Sequence, residues 1–423
     1  MIKEPRIRLF DLVASLSAAM DIISPVTVNH HKQVAYIAVS IAEEQGLPLN
    51  EQSEILLAGA LHDSGALSLQ EKLDTLQFEM VDPYKHAKTG YLLIKMFEPL
   101  LGPASLVRFH HVPWSNAEGS EFKGKDVLIG SHILNLADRI AVLINKDKEI
   151  LGQVNAIVTK IEEKSGKIFI PKLVDAFKNL ASKQFFWFDI TSSFISSILS
   201  NKIGCKTIKL DIEGLLSLSK MFSHIIDFRS RFTSTHSSGV SACAEALAGF
   251  AGFSERECKM MRIAGYLHDL GKLAVPVEIL EKTGPLRTEE EVNRIQSHTY
   301  YTYRILENIP GLETINEWAS FHHERLDGNG YPFHIKGSGI SPGSRIMAVA
   351  DVFTAVAEDR PYRKGMTRDK TLGVLKKMVE NFAIDSNIVS LVGLHFDELN
   401  LVRKTAQAES IKEYERFLKP QEE

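Results

Sequence analysis

Apolar positions along this chain recur every three or four residues, not every second one. Val34, Ile37 and Ile41 fall on one helical face, and Gly46 then supplies the residue type that ends many helices. Ser254 with Glu257, and Thr288 with Glu291, have the spacing of capping boxes, in which two side chains satisfy orphan N–H groups at a helix start. Gly284-Pro285 marks a turn before the second of these helices. Alternating apolar runs, the sign of half-buried strands, are short and scattered. The pattern predicts an all-α fold, with loops wherever Gly and Pro cluster, notably over 326–345.

A slower period lies over the helical one. Potential metal ligands fall at His30, His62-Asp63, His86, His110-His111 and Asp138, then again at His236, His268-Asp269, His298, His322-His323 and Asp351. His30 to His62 is 32 residues and so is His236 to His268; His86 to His110 and His298 to His322 are both 24. His111 to Asp138 is 27 against 28 for His323 to Asp351, and only the middle gap differs by a loop's length, 24 against 30. Duplication explains such an order of scarce residues. A chain of 423 residues holds two domains of this size, each with its own core, which we delimit as 1–200 and 201–423. The two halves are expected to meet within 181–215.

Composition narrows the class. A net charge of −4 argues against a general DNA or RNA duplex binder, which would carry a strongly basic face. Cys205, Cys243 and Cys258 form no CxxC pair and fit reduced thiols of a cytoplasmic protein. No run of 18 apolar residues is present, so no membrane span is expected. Arg8, Asp11 and Asp21 interrupt the N-terminal apolar stretch, which therefore reads as a docked core helix and not a signal peptide, with an interfacial helix as the alternative.

The donor types point to chemistry. Imidazole nitrogen with carboxylate oxygen suits iron or manganese better than calcium or magnesium. Adjacent His268 and Asp269 can both face one cluster if it sits at a helix end, the carboxylate bridging two ions and the imidazole binding one. His236, His298, His322, His323 and Asp351 then fill the remaining positions. Two ions about 3.5–4 Å apart can clamp the attacking and leaving oxygens of a phosphodiester. Lys272 would set a positive charge against the phosphate as negative charge builds. A lone histidine on an apolar helix is more often a satisfied core residue; five histidines and two aspartates in this order outweigh that reading. Asp327-Gly-Asn-Gly-Tyr-Pro is a turn by composition, and its place directly after the histidine pair makes it a substrate-facing loop.

GYLHDLGK at 265–272, the isolated His298, HHERLDGNGYP at 322–332, RIMAVAD at 345–351 and DRPYR at 359–363 together resemble the HD-GYP family. These are helical phosphodiesterases that open bacterial cyclic dinucleotides, and the resemblance covers roughly 210–400. It implies a helical HD-GYP bundle preceded by a second HD-type bundle. It further implies hydrolysis of cyclic di-GMP or 3′,3′-cyclic GMP-AMP to the linear dinucleotide, with a second cut to mononucleotides open. Asp269 and Lys272 are the implied catalytic residues; Lys272, Arg325, Asp327, Gly328, Gly330, Tyr331 and Pro332 are the implied substrate contacts. Arg360 and Arg363 are either phosphate-side or structural. Some members carry a glutamate four residues before the first histidine that supports a third ion; here that residue is Phe232, so two divalent ions are expected. The usual DAL after the last aspartate is Thr354-Ala355-Val356, and NFAIDSN stands near the late FDP signature, so purine preference stays open.

The first half is similar to an HD domain that has lost catalytic parts. Ala66 stands where the second copy has Lys272, and VPWSNAEGSEF follows His110-His111 without a GYP loop. Its end, GKIFIPKLVDAF at 166–177, looks more like the late family signature than the second copy does. His30, His62, Asp63, His86, His110, His111 and Asp138 form a possible second metal site. The unit is expected to be regulatory or structural: a metal-bearing inactive domain, a metal-free partner or, as a third reading, a second active site. A homodimer or a signalling-protein partner would fit such a unit. For the whole chain, the alternative to an enzyme is a non-hydrolytic adaptor that binds a dinucleotide or a protein. A different HD-type metalloenzyme would lack the GYP extension.

Overall fold

The computed structural model describes residues 6–21, 28–66, 69–78, 84–202, 207–227, 235–282, 288–359 and 363–418. They are helical in the main, and a two-residue-per-strand antiparallel hairpin, Glu121–Phe122 with Lys125–Asp126, is among the few extended pieces. Two compact units divide the chain: one is Arg8–Ile208, the other Lys209–Glu423 together with Met1–Ile7.

The first unit contains α1 (Leu9–Asp21), α2 (His30–Glu44), α3 (Leu49–Leu61), α4 (Tyr84–Ile94), α5 (Leu101–Arg108) and α6 (Ile129–Leu143). The second repeats them as α7 (Ile212–Asp227), α8 (His236–Phe250), α9 (Glu255–Leu267), α10 (Glu289–Leu306), α11 (Glu313–Ser320) and α12 (Pro342–Ala357). A long helix, α13 (Phe396–Leu418), closes it.

In each unit one helix is central and buried on nearly all sides. Val34, Ile37 and Ile41 of α2 are fully buried, and α2 packs on α3 and α6. Its counterpart α8 packs on α9, α12 and α13. Close crossing of these pairs requires glycine. A Cβ at Gly59 would lie 2.7 Å from Ala35 Cα, and one at Gly265 would lie 2.5 Å from Ser241 Cα. Both glycines stand three residues before the histidine of the His-Asp pair, so the same contact that brings the helices together sets the ligands at its edge.

The expected capping boxes form at Ser254–Glu257 and Thr288–Glu291, opening α9 and α10. Gly46 follows α2 in the left-handed region (φ 69°). The loop expected over 326–345 ends earlier, at Ser341. That side chain accepts from the Ser344 N–H, and Pro342 starts α12 at the position where its missing N–H costs nothing. Gly284-Pro285 lies outside the described residues. The N-terminal stretch is a docked helix, with Leu12, Val13, Leu16 and Met20 of α1 buried. Cys243 and Cys258 are free thiols; Cys205 lies outside the described residues. Among the described residues, no helix is long and apolar enough to cross a membrane.

Candidate metal centre and its duplicate

The ligands gather because helix ends converge. His236 opens α8, His268 and Asp269 follow the end of α9, His298 sits in α10, His322-His323 follow α11, and Asp351 lies on α12. The His-Asp turn docks tightly on α10. Gly271 N–H donates to Thr302 Oγ1 (2.9 Å), and Thr302 donates on to the His268 carbonyl (3.0 Å). A Cβ at Gly271 would meet the His298 carbonyl at 1.9 Å, which is why this turn needs glycine.

The carboxylate of Asp269 is shared. Its Oδ2 lies 3.3 Å from His268 Nε2 and its Oδ1 3.4 Å from His298 Nε2. Asp351 faces His236 Nε2 at 3.1 Å through one oxygen and His323 Nδ1 at 4.0 Å through the other. Three overlapping groups result, His236–His268–Asp351, His268–Asp269–His322 and His298–His322–His323, each with ligand atoms within 4.8 Å of one another. Lys272 places its ammonium on Asp269 Oδ2.

Hydrogen bonding fixes which nitrogens face the cluster. His268 and His322 donate from Nδ1 to the carbonyls of Gly265 and Ala319, both at 2.7 Å, and His298 does the same to Ile295. A carbonyl can only accept, so each Nδ1 carries a hydrogen and it is Nε2 that faces inward as the ligand atom. The Nε2 atoms of His298 and His322 then face each other at 3.3 Å, and His268 Nε2 is buried without a hydrogen-bond partner. Lone pairs aimed at one another around carboxylates suit a cation. The donor set therefore fits metal ions.

Charge balance points the same way. Burial keeps His298 and His323 neutral, each down to about 3, and holds His322 well below its ordinary value. Burial alone would also lower His236, but Glu358 and Asp351 overcome it and push it up to about 10. Burial would raise Asp269, yet His268 and Lys272 hold it well below the usual carboxylate range.

The loop of the second copy is anchored by a residue the sequence reading passed over. Buried Glu324 accepts from the N–H groups of Phe333 (2.7 Å) and Ile335 (2.9 Å). Tyr331 follows through its N–H to the His323 carbonyl (3.2 Å), and its ring lies 4.9 Å from that of His323. The Tyr331–Pro332 bond is cis. Arg325 and Asp327, expected to face substrate, pair with each other, and Asp327 Oδ1 also accepts from Asn329 N–H. Arg363 donates to the carbonyls of Ala355 and Val356, a structural role; Arg360 and Phe232 lie outside the described residues.

The first unit gathers the same residue types, with one pairing changed: His86 Nε2 faces His111 Nε2 (2.9 Å), where the second copy sets His298 against His322. Asp63 lies 3.4 Å from both His62 Nε2 and His86 Nε2, and Asp138 lies 3.3 Å from His30 Nε2. His62 and His110 donate from Nδ1 to the carbonyls of Gly59 (2.9 Å) and Val107 (2.7 Å). Two groups of ligand atoms again close, His30–His62–Asp63 and Asp63–His86–His110–His111. What surrounds them differs. Thr75 donates to Asp63 (2.8 Å) where the second copy uses Lys272, and Ala66 is buried at that lysine's place. Buried Arg139 pairs with Asp138, where the second copy has Val352.

One more repeated residue escaped the sequence reading. Asp21 and Asp227 each end a helix nine residues before the first histidine. Asp21 pairs with His31, and Asp227 accepts from Ser237 at 2.8 Å. The shared offset of nine is the sequence signal for it.

Comparison with known proteins agrees with this duplication. The HD domain family matches twice, over residues 27–143 and 220–388. The 3′3′-cGAMP-specific phosphodiesterase 1 of Vibrio cholerae is 30% identical over 386 residues, which cover 89% of each chain. The chain belongs to the HD-GYP phosphodiesterases, with two HD domains in tandem. Another HD-GYP relative, the cyclic di-GMP phosphodiesterase response regulator RpfG of Xanthomonas campestris, is 37% identical over 161 residues, 38% of this chain and 42% of that one. The crystal structure of a cyclic GMP-AMP-specific phosphodiesterase of V. cholerae (V-cGAP3) superposes with a TM-score of 0.64 over 96% of this chain and 98% of that one, at 22% identity. That match shows that the fold is shared along nearly the whole length.

Proposed function

We propose that the second unit hydrolyses a 3′,5′ phosphodiester of a cyclic dinucleotide. 3′,3′-cyclic GMP-AMP is the first substrate to test and cyclic di-GMP the second. The relative that spans most of this chain is specific for the former, and RpfG acts on the latter. The observation that carries the reading is the shared carboxylate of Asp269. Its two oxygens face histidines of two different ligand groups, and Lys272 meets it from the side.

In this reading two divalent first-row ions, iron or manganese, are held by His236, His268, Asp269, His298, His322, His323 and Asp351. When bound, such a pair supplies Lewis acidity and an activated water at neutral pH. The chain's own residues do the rest. Lys272, close to Asp269 and only partly exposed, meets the phosphate oxygens as charge builds on them. Tyr331 is held protonated by burial and by Asp351, and from the GYP loop it can donate toward the substrate. Glu324 fixes the backbone of that loop. The first unit binds metal through the same donor set but does not hydrolyse, because Lys272 and the GYP loop have no counterpart there. Reduced thiols and a cyclic dinucleotide substrate fit work in the cytoplasm.

The test is product analysis by chromatography. Protein reconstituted with manganese or ferrous iron is offered the two dinucleotides in parallel. Conversion to the linear dinucleotide is expected, faster with cyclic GMP-AMP. No cleavage of either by protein whose metal content has been measured would overturn the enzyme reading in favour of a binding adaptor.

A further inference from the structure

The helix that carries Asp351 carries a second carboxylate directed at the same cluster. Seven residues on, two helical turns along one face, Glu358 follows the end of α12 and is almost fully buried. Its two oxygens lie 3.1 and 3.2 Å from His236 Nδ1, while His236 Nε2 faces Asp351. His268, His298 and His322, the other ligand histidines of this unit with an assigned Nδ1 hydrogen bond, donate it to a carbonyl of their own preceding turn. His236 opens its helix and has no such turn, so its outer nitrogen needs a partner from elsewhere.

Glu358 is itself held. Gln407 Nε2 donates to Glu358 Oε2 (2.9 Å), and Arg403 Nη1 donates to Gln407 Oε1 (2.6 Å). Arg403 and Gln407 lie on α13 and are buried. The chain keeps room for this amide: a Cβ at Gly239, one turn after His236, would stand 3.0 Å from Gln407 Nε2 and 3.0 Å from Thr354 Cγ2. Among the described residues of the first unit, the corresponding positions hold other side chains. Gln33 replaces Gly239 and donates to the Ile190 carbonyl; Asn145 replaces Glu358 and bonds to Gln153 and Asp147. Among the described residues, this arrangement is found only in the copy that also has Lys272.

We propose that Glu358, braced by Gln407 and Arg403, is the positioning residue for His236. It accepts the hydrogen bond from Nδ1–H, turns the Nε2 lone pair toward Asp351, and raises the ring's strength as a metal ligand. Outer carboxylates on ligand histidines have this effect, and their loss costs about ten- to a hundredfold in metal affinity. The inference rests on the metal role given to His236 above.

The experiment is chelator-competition titration of the full chain with manganese across a pH series, so that affinities are compared free of proton competition at His236, for wild type, Glu358→Gln, Gln407→Met and His236→Ala, alongside apo melting temperature and turnover. Glu358→Gln keeps the side chain's shape and removes its charge. The expected result is one class of ions bound about tenfold or more weakly, at an apo melting temperature close to wild type, with a smaller shift in the same direction for Gln407→Met. A purely structural glutamate would lower the melting temperature and leave the affinity of the folded protein unchanged; that result overturns the proposal. Should Glu358→Gln not fold, Gln407→Met carries the test: weakened ion binding supports the proposal and wild-type affinity overturns it. If His236→Ala loses an ion while Glu358→Gln and Gln407→Met bind as wild type, only the positioning role fails. If His236→Ala keeps every ion, the ligand assignment fails with it.

Discussion

Lys272 is the residue that most clearly separates the two copies. It meets Asp269, whereas its counterpart Ala66 leaves Asp63 to Thr75. Lys272→Met should lower kcat by about 10²–10³, the scale for removing one preorganised group at developing charge. Metal content should stay at the wild-type level, because Lys272 supplies no ligand atom; a matching loss of bound metal would make it a structural residue instead. Acid should weaken metal binding through His236. Glu358 and Asp351 overcome burial and raise its pKa from 6.5 to about 10, so the free cluster holds that proton at neutral pH and an ion must expel it. His298 and His323, kept down to about 3 by burial, have no proton to lose there. The logarithm of metal affinity should therefore climb by up to about one unit per pH unit through neutrality, levelling as pH nears 10. In metal-free protein the same raised pKa adds stability that is complete below pH 6.5 and is lost as pH rises through about 10. Calorimetry in buffers of different ionisation heat reads the proton count, and a pH-independent affinity would show that His236 is already neutral.

At the scale of elements, helix crossings set the ligand geometry. Gly265 lets α9 lie against α8, and its carbonyl receives the His268 Nδ1 proton. Gly265→Ala forces a methyl to within 2.5 Å of Ser241 Cα. Overpacking of this kind costs about 1–3 kcal/mol, seen as a lower melting temperature, and here it should weaken metal binding as well. Gly373 is the control: it is exposed in the helix Arg368–Glu380, and a Cβ there would meet nothing within 4 Å. Gly373→Ala should stabilise by about 0.5–1 kcal/mol, through lost freedom of the unfolded chain, and leave metal binding alone. Much of this layer was legible beforehand. Capping boxes and ligand order are local patterns with few alternative meanings, and both appear as expected. The early start of α12 was missed because a proline within a Gly-rich stretch reads as loop until the serine before it is seen to cap. Glu324 and Glu358 were not legible for a different reason. Their partners come from chain 9 to 122 residues away, or from α13, and no spacing announces such a meeting.

At the scale of the whole chain, the question is why a second cluster persists without its catalytic neighbours. Buried histidines and aspartates that served no ligand would be costly to retain, since each must be desolvated and His110 Nε2 has no hydrogen-bond partner. Metal binding gives this atom a partner, and it adds the ions' binding free energy to the stability of that unit. His110→Ala should then reduce the metal content of the chain and lower the melting temperature of metal-loaded protein, while the second unit keeps its hydrolytic chemistry. Asp269→Ala should reduce metal content too, but abolish cleavage. Metal analysis and turnover on both variants separate the two roles. If His110→Ala leaves the metal content unchanged, the first cluster is a polar core. If it abolishes cleavage while the second unit remains loaded, the first unit takes part in the reaction itself.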